Sequence, residues 1–312
     1  MQFDPTDQRD SAKSGVWAIA VTYQPDIATL RAALMACTEQ VARVLVVDNG
    51  SQLSVLALLR ELVHQTDCSL LELGSNLGIA AAQNWGIAQA REHGATHVLL
   101  LDQDSVPSLG MVERLRSALT ALADDGISVA AVGPRLVDRR TGASTPFIRI
   151  GVLGVTKKTC QEGPKRLIET DFLVSSGMLI PLEVFDRVGL PEEGLFIDNV
   201  DLEWCFRARA MKLILYGVCD AMMEHSIGDT VIRFGSSIIH RHDPLRQYYI
   251  MRNRILLYQR SYSPWGWIIQ DFVRMLFKLL AFSLVFGPRR QNLAMMLKGI
   301  KDGLTGKMGK LR

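Results

Sequence analysis

This chain of 312 residues lacks a stretch that would cross a bilayer. A C-terminal apolar run, Leu279 to Gly287, is uncharged for nine residues, far below the roughly 20 that a spanning helix needs. Cysteine is scarce. The five, at 37, 68, 160, 205 and 219, form no close pair and leave one over, which argues against a disulfide framework and a zinc site and for a reducing compartment. The N-terminus, MQFDPTDQRDSAKSG, has no basic start, apolar centre or small-residue cleavage site, so no signal peptide is expected. What is abundant is apolar: 48% of the residues are enough to bury a full core in one large or two modest domains, which excludes a disordered chain.

The net charge of +3 conceals a division along the chain. From Arg241 onward 14 Lys and Arg face only Asp243, Asp271 and Asp302, giving +11 and leaving −8 for residues 1–240. An acidic body with a basic tail implies that the tail meets something anionic, nucleic acid or lipid.

The body reads as alternating strands and helices. Val16–Tyr23 and Val44–Asp48 are short, buried-strand runs, each followed by turn residues and then a helical stretch, Ile27–Val41 and Leu53–Gln65. Next come a short strand at Leu70–Leu73, a small-residue helix opening at NLGIAAAQNWG (76–86) and the pivotal run HVLLLDQDS (97–105). That order predicts an α/β fold, a mostly parallel sheet flanked by helices with its ligand site along the carboxyl edge. On an extended strand Asp102 and Asp104 point to one side, roughly 6.6 Å apart. Such a pair suits one Mg²⁺ or Mn²⁺ and the diphosphate it bridges, although Asp104 or Ser105 would equally cap the next helix. Asp48 either meets a base or ribose or closes an Asx-turn.

Leu109–Leu122 is an amphipathic helix, Ser128–Pro134 a strand, and residues 138–169 are expected to be irregular loops over the site. FLVSSGMLIP (172–181) reads as a strand with a small centre at Ser175, Ser176 and Gly177. LFIDNVDLEWCFR (195–207) places Asp198, Asp201 and Glu203 at a helix start, Asp198 and Asp201 on one face. Leu213–Cys219 is a strand, and His225 beyond it is a packed residue or a ligand.

The TYQP, VDNGS, NLGIAAAQNWG and LLLDQDS segments, beginning at Thr22, Val47, Asn76 and Leu99, resemble in order and spacing the blocks of glycosyltransferase family 2, and more narrowly its bacterial dTDP-rhamnosyltransferases. The resemblance runs from about Val16 to His225. It implies the GT-A fold, with Thr22, Tyr23, Asp48, Asn76, Gly78, Asn84 and Asp102 around the donor nucleotide sugar, and Asp104 and His225 on Mg²⁺ or Mn²⁺. It further implies Asp201 as the catalytic base, ahead of Glu203 or Asp198, with Ser176, Gly177, Glu203, Trp204 and Arg207 positioning sugar and acceptor. The implied reaction is inverting transfer of L-rhamnose from dTDP-β-L-rhamnose to a lipid-linked saccharide of a surface polysaccharide, of the O-antigen or lipopolysaccharide type. Rhamnolipid assembly, or another sugar nucleotide, is the alternative. The QxxRW pattern of processive members is absent, so one sugar per encounter is expected.

The implied organisation is a polar tail (1–14), a catalytic domain (15–240, split at 107/108 into nucleotide-sugar and acceptor halves) and a basic amphipathic region (241–312). In the last, QYYIMRN (247–253) resembles a block of the same transferases. In Ile268–Lys278 apolar positions oppose Asp271, Arg274 and Lys278, a two-faced helix. Tryptophans and basic residues here favour an anionic inner-membrane surface over a helical cap on the sheet. Long apolar runs without stacking aromatics argue against nucleic acid, and no strand end offers the basic triphosphate loop of a nucleotidyltransferase. The protein is expected in the cytoplasm, peripheral to the inner face of the plasma membrane, with a homo-oligomer left open.

Overall fold

The computed structural model describes residues 15–139, 141–151, 154–160, 166–225, 231–234, 237–240 and 243–311, with only the backbone at 225, 231–234 and 237–240. The polar tail at 1–14 lies outside the described residues. The nucleotide half runs β1 (Val16–Thr22), α1 (Ile27–Thr38), β2 (Arg43–Asp48), α2 (Leu53–Gln65), β3 (Ser69–Glu72), α3 (Ile79–Glu92) and β4 (His97–Asp102). Then follow β5 (Val106–Pro107), α4 (Met111–Asp124), β6 (Val129–Asp138), β7 (Phe147–Gly151), β8 (Gly154–Lys158), β9 (Leu167–Thr170), β10 (Leu179–Pro181) and α5 (Val184–Val188). The chain closes with α6 (Val200–Ala210), β11 (Ile214–His225), β12 (Val231–Phe234), β13 (Ser237–His240), α7 (Pro244–Tyr258), α8 (Trp265–Leu284) and α9 (Arg289–Leu304).

The main sheet has the order β3-β2-β1-β4-β10-β6-β11-β5. Its first four strands are parallel, as continuous apolar runs joined by helices require. The sheet is mixed beyond them, because β10 runs antiparallel to both β4 and β6. Helices α1, α2 and α4 bury Leu34, Leu59 and Leu115 on one face. On the other, α3, α5 and α6 bury Ile87, Phe185 and Trp204.

Three expectations are corrected. Residues 138–169 are not simply irregular: they contain the antiparallel β7–β8 hairpin and the start of β9, which pairs with β11. Only Leu179–Pro181 of the 172–181 run is strand, since the small residues before it turn the chain. Cys160 and Cys219 form a disulfide across a sequence separation of 59, a pairing that spacing along the chain does not reveal; Cys37, Cys68 and Cys205 are free thiols.

The C-terminal region does two things. Helix α7 is built into the body, burying Tyr248, Tyr249, Arg252 and Asn253. Helix α8 packs on the body through Trp267, Met275 and Phe282 together with Asp271, while Arg274 of its charged face is exposed. Asp271 is buried against Tyr258 and Arg254, while Trp265, Ile269, Val273, Phe277 and Leu284 are exposed. Among the described residues no helix is long and apolar enough to cross a membrane.

Leu99 lies at the centre of β4, fully buried between β1 and β10. Leu99→Ala is expected to lower the unfolding free energy by about 2–5 kcal/mol in urea titration, and a loss under about 1 kcal/mol would contradict this placement of the core.

Candidate active site

The parallel register brings three strand ends together: Thr22 lies opposite Asp48, and Val21 opposite Asp102. Asp48 is almost wholly buried, and its Oδ2 accepts from the Gly50 and Ser51 N–H groups at 3.2 and 2.9 Å. Of its two readings the Asx-turn is therefore realised, and Thr22 Oγ1 donates to the same carboxylate at 3.5 Å. Asn49 and Asn76 extend the turn, with Asn49 Oδ1 accepting from Leu77 N–H at 2.8 Å and Asn76 Oδ1 from Gly78 N–H at 3.0 Å. These residues form a shelf, beside which the Tyr23 ring is exposed.

Gly78 sits at φ 94°, and a Cβ there would meet the Phe196 carbonyl oxygen at 2.5 Å. Only glycine allows this approach, which the Ile79 N–H secures by donating to the same oxygen at 2.7 Å. The shelf is thereby locked to the acidic segment. Asn84 does not line the shelf as expected. Its Nδ2 donates to the Pro191 carbonyl and Glu193 Oε1 at 3.0 and 2.9 Å, tying α3 to the chain before that segment.

Strand β4 ends at Asp102, so Asp104 lies in the following turn and the even-spaced strand geometry for the pair does not hold. The turn is braced from below. Asp102 N–H donates to Ser176 Oγ at 3.0 Å, and Ser176 shares a 2.7 Å hydrogen bond with Ser105. Ser176 is buried, and a Cβ on Gly177 would strike Pro134 at 2.6 Å. Both shape the floor beneath Asp102.

The acidic segment departs most from expectation. Asp198 is not helical: Phe196, Asp198 and Asn199 have φ of 65°, 64° and 62°, positive-φ backbone costing about 1–3 kcal/mol for each such residue, with Phe196 at the centre of a tight turn in which the Ile197 N–H donates to the Leu195 carbonyl at 2.8 Å. Its carbonyls are gathered by α7. Asn253 Nδ2 donates to the Leu195, Ile197 and Asp198 oxygens at 2.9, 2.7 and 2.8 Å. Arg252 donates to those of Gly194 and Leu195 at 3.2 and 2.8 Å. Both side chains are fully buried. The sequence marks this block only by its resemblance, because nothing in its wording says which backbone it holds.

The loop delivers Asp201 to the first turn of α6. Its carboxylate accepts from the Ser175 N–H at 3.4 Å and the Leu202 N–H at 2.8 Å. Burial pushes its carboxyl up to about 6, against those two hydrogen bonds and with help from the negative charges of Asp102 and Asp198. The two acidic motifs, distant in sequence, thus act on one another electrostatically.

Glu203, Trp204 and Arg207, expected as positioning groups, are bonded into the body. Glu203 is buried, paired with Arg207 at 2.8 Å and accepting from Tyr262 Oη at 2.6 Å. Trp204 Nε1 donates to the Gly189 carbonyl, and Arg207 to those of Val188 and Leu190. The His225 side chain lies outside the described residues. Among those described, no group of three or more His, Cys, Asp or Glu could hold a metal ion. Asp102 and Asp104 offer hard oxygens at a strand exit, a set that fits Mg²⁺ or Mn²⁺ when substrate phosphate oxygens complete the coordination.

The family model described as glycosyl transferase family 2 matches residues 18–187. The chain is 31% identical over 298 residues to the dTDP-rhamnosyl transferase RfbF of Shigella flexneri, covering 95% of this chain and 96% of that one. It is 25% identical over 296 residues to the low-salt glycan biosynthesis hexosyltransferase Agl10 of Haloferax volcanii, covering 86% and 85%. Two solved structures share the fold: GalNAc-T7 with UDP, GalNAc and Mn²⁺ (TM-score 0.59, 12% identity, 91% of this chain and 54% of that one) and S. aureus TarS (0.56, 14%, 93% and 48%). The chain spans about half the length of each, and at such identity they show the fold alone.

Two outcomes test this geometry. A carboxyl raised above its unfolded value of 3.8 withdraws stability as pH climbs from 3.8 through about 6. Asp201→Asn is therefore expected to unfold at higher temperature than the wild type at about pH 8, by about 1–3 kcal/mol of stability, with no gain at about pH 3.5. Asn253→Asp, which sets an acceptor against three carbonyls, is expected to cut turnover about 100-fold through loop displacement. Wild-type turnover in that variant would show that the clamp does not place the site.

Proposed function

The chain belongs to glycosyl transferase family 2, and from that premise we propose that it is an inverting, metal-dependent rhamnosyltransferase that uses dTDP-β-L-rhamnose. The family and the GT-A fold make it a glycosyltransferase; its Shigella relative, a dTDP-rhamnosyl transferase, supports the choice of donor. The observation that carries the mechanism is the half-buried Asp201 carboxylate in the first turn of α6, held by the Ser175 and Leu202 N–H groups, with its carboxyl pushed up by burial and by the charge of Asp102.

A base with a midpoint near the working pH is ionised when needed and still takes a proton readily. In the proposed reaction Asp201 accepts the proton of the acceptor hydroxyl as that oxygen forms its bond to the anomeric carbon. The bond from that carbon to the diphosphate breaks on the opposite side, which inverts the configuration without a covalent enzyme intermediate. Asp102 and Asp104 would hold a Mg²⁺ or Mn²⁺ ion, which when bound supplies compensation for charge developing on the departing diphosphate. The shelf of Thr22, Asp48, Asn76 and Gly78 would seat the nucleotide, with the exposed Tyr23 ring beside it.

For the acceptor we infer a lipid-linked saccharide of surface-polysaccharide synthesis, met at the inner face of the plasma membrane. The outward apolar face of α8 supports this, together with the +11 charge of the C-terminal region. A glycosylated fatty acid would lie on the same face.

The test is a panel of sugar nucleotides assayed for hydrolysis and transfer with Mg²⁺, Mn²⁺ or chelator. The expected result is that dTDP-rhamnose alone turns over, that chelation stops it, and that activity rises with pH through about 6. Asp201→Asn is expected to bind donor without transferring. Turnover that survives chelation would remove the metal from the mechanism.

A further inference from the structure

The segment after α9 returns to the site. Gly306 and Gly309, at φ of 70° and 82°, turn the chain where a side chain would be strained, and Lys307–Leu311 forms a strap along α7. It is tied at each step. Lys307 N–H donates to the Asp302 carbonyl at 2.8 Å, Gly309 N–H to that of Gly194 at 2.7 Å, and Leu311 N–H to Tyr249 Oη at 2.8 Å. Arg252 donates to the Gly309 carbonyl. The same two residues of α7 hold the acidic segment, Arg252 through the Gly194 and Leu195 carbonyls and Tyr249 by stacking on Phe196 at 5.0 Å. The strap and the acidic segment thus share one support, and the backbone is fixed on both sides of Lys310.

Lys310 is exposed, and its ammonium donates to the Asn76 carbonyl at 3.2 Å. The loop it reaches is packed hard on the turn after β2, where a Cβ on Gly50 would meet the Asn76 nitrogen at 2.5 Å, so the carbonyl is fixed. A cation from position 310 therefore stands on the shelf of Asn76 and Gly78. No carboxylate among the described residues pairs with it, and of the three donors of an ammonium one is used on the carbonyl and two remain. The surroundings are acidic. The strand ends beside the shelf lead to Asp48, Asp102 and Asp104, and the segment locked to the shelf carries Asp198 and Asp201. A diphosphate arriving there adds negative charge to an acidic place, and an opposite charge within a few ångströms offsets it.

We propose that Lys310 is a donor-binding residue whose ammonium pairs with the diphosphate of the nucleotide sugar seated on the shelf, so that the strap completes the donor site. The proposal rests on the transferase reading above and adds to it a residue far beyond the family-matched stretch 18–187. Lysine suits the task, being a compact point charge on a flexible stem that can leave a carbonyl and follow a phosphate. Because the strap and the acidic segment hang on Arg252 and Tyr249, the cation that meets the donor and the loop that delivers Asp201 are placed by one helix, α7.

The experiment titrates the full chain calorimetrically with dTDP, UDP and thymidine, in Mg²⁺ and in chelator. Lys310→Met is expected to bind dTDP about tenfold more weakly or worse in both conditions, as loss of a charge-assisted hydrogen bond implies, with thymidine unaffected. Lys310→Arg, which keeps the charge, is expected to retain most of the affinity. The dTDP affinity of the wild type is expected to fall more steeply with added KCl than that of Lys310→Met, which has one ion pair fewer to screen. A purely structural role for the strap would leave that slope unmoved. Unchanged dTDP affinity in Lys310→Met, or an equal loss of dTDP and thymidine, would overturn the assignment while the transferase reading stands. A wild type that takes UDP in preference to dTDP, with the same dependence on Lys310, would correct the donor and uphold the lysine. Binding of neither nucleotide would overturn both.

Discussion

One side-chain amide holds the site in its shape. Asn253 gathers three backbone carbonyls of a loop in which Phe196, Asp198 and Asn199 all have positive φ. Such backbone persists only where its surroundings over-determine it. The clamp stands on α7, which is fixed in turn by Tyr248 on Asp302 and by Tyr249 on the Leu311 N–H. The C-terminal helices are therefore part of the catalytic body, and the +11 region cannot be regarded as an appendage to a finished domain.

Several residues expected around the substrate are also bonded within the protein. A carboxylate raised by burial is surrounded by polar groups, many of which bond one another. Ser176 braces the turn at Asp102, Asn84 anchors the approach to the acidic loop, and Glu203 with Arg207 fixes α6. Each supports the chemistry from behind. Among the donor-shelf residues Tyr23 presents the large exposed side chain.

Much of this architecture was legible in the chain. The four parallel strands and their helices follow from apolar runs that stop at turn residues, and α2 occupies the stretch its periodicity marked, Leu53–Gln65. The pairing of the two acidic motifs was legible from the family resemblance. Less was legible where distant segments decide local form. Asp198 reads as helical by spacing, and only the carbonyl clamp from α7, far along the chain, makes it left-handed. The β7–β8 hairpin carries polar residues because much of it is exposed, so its composition looks like loop. In helix α8 the one buried charge, Asp271, meets Tyr258 and Arg254 of α7, partners that periodicity within α8 cannot reveal.

The electrostatic contact of Asp201 with Asp102 is the claim on which the site depends. A carbon-13 NMR titration of the Asp201 side-chain carboxyl, in the wild type and in Asp102→Asn, measures it directly. The expected wild-type midpoint is about 6, falling when the neighbouring charge is removed. A midpoint in the ordinary aspartate range, or one indifferent to Asp102, would contradict it.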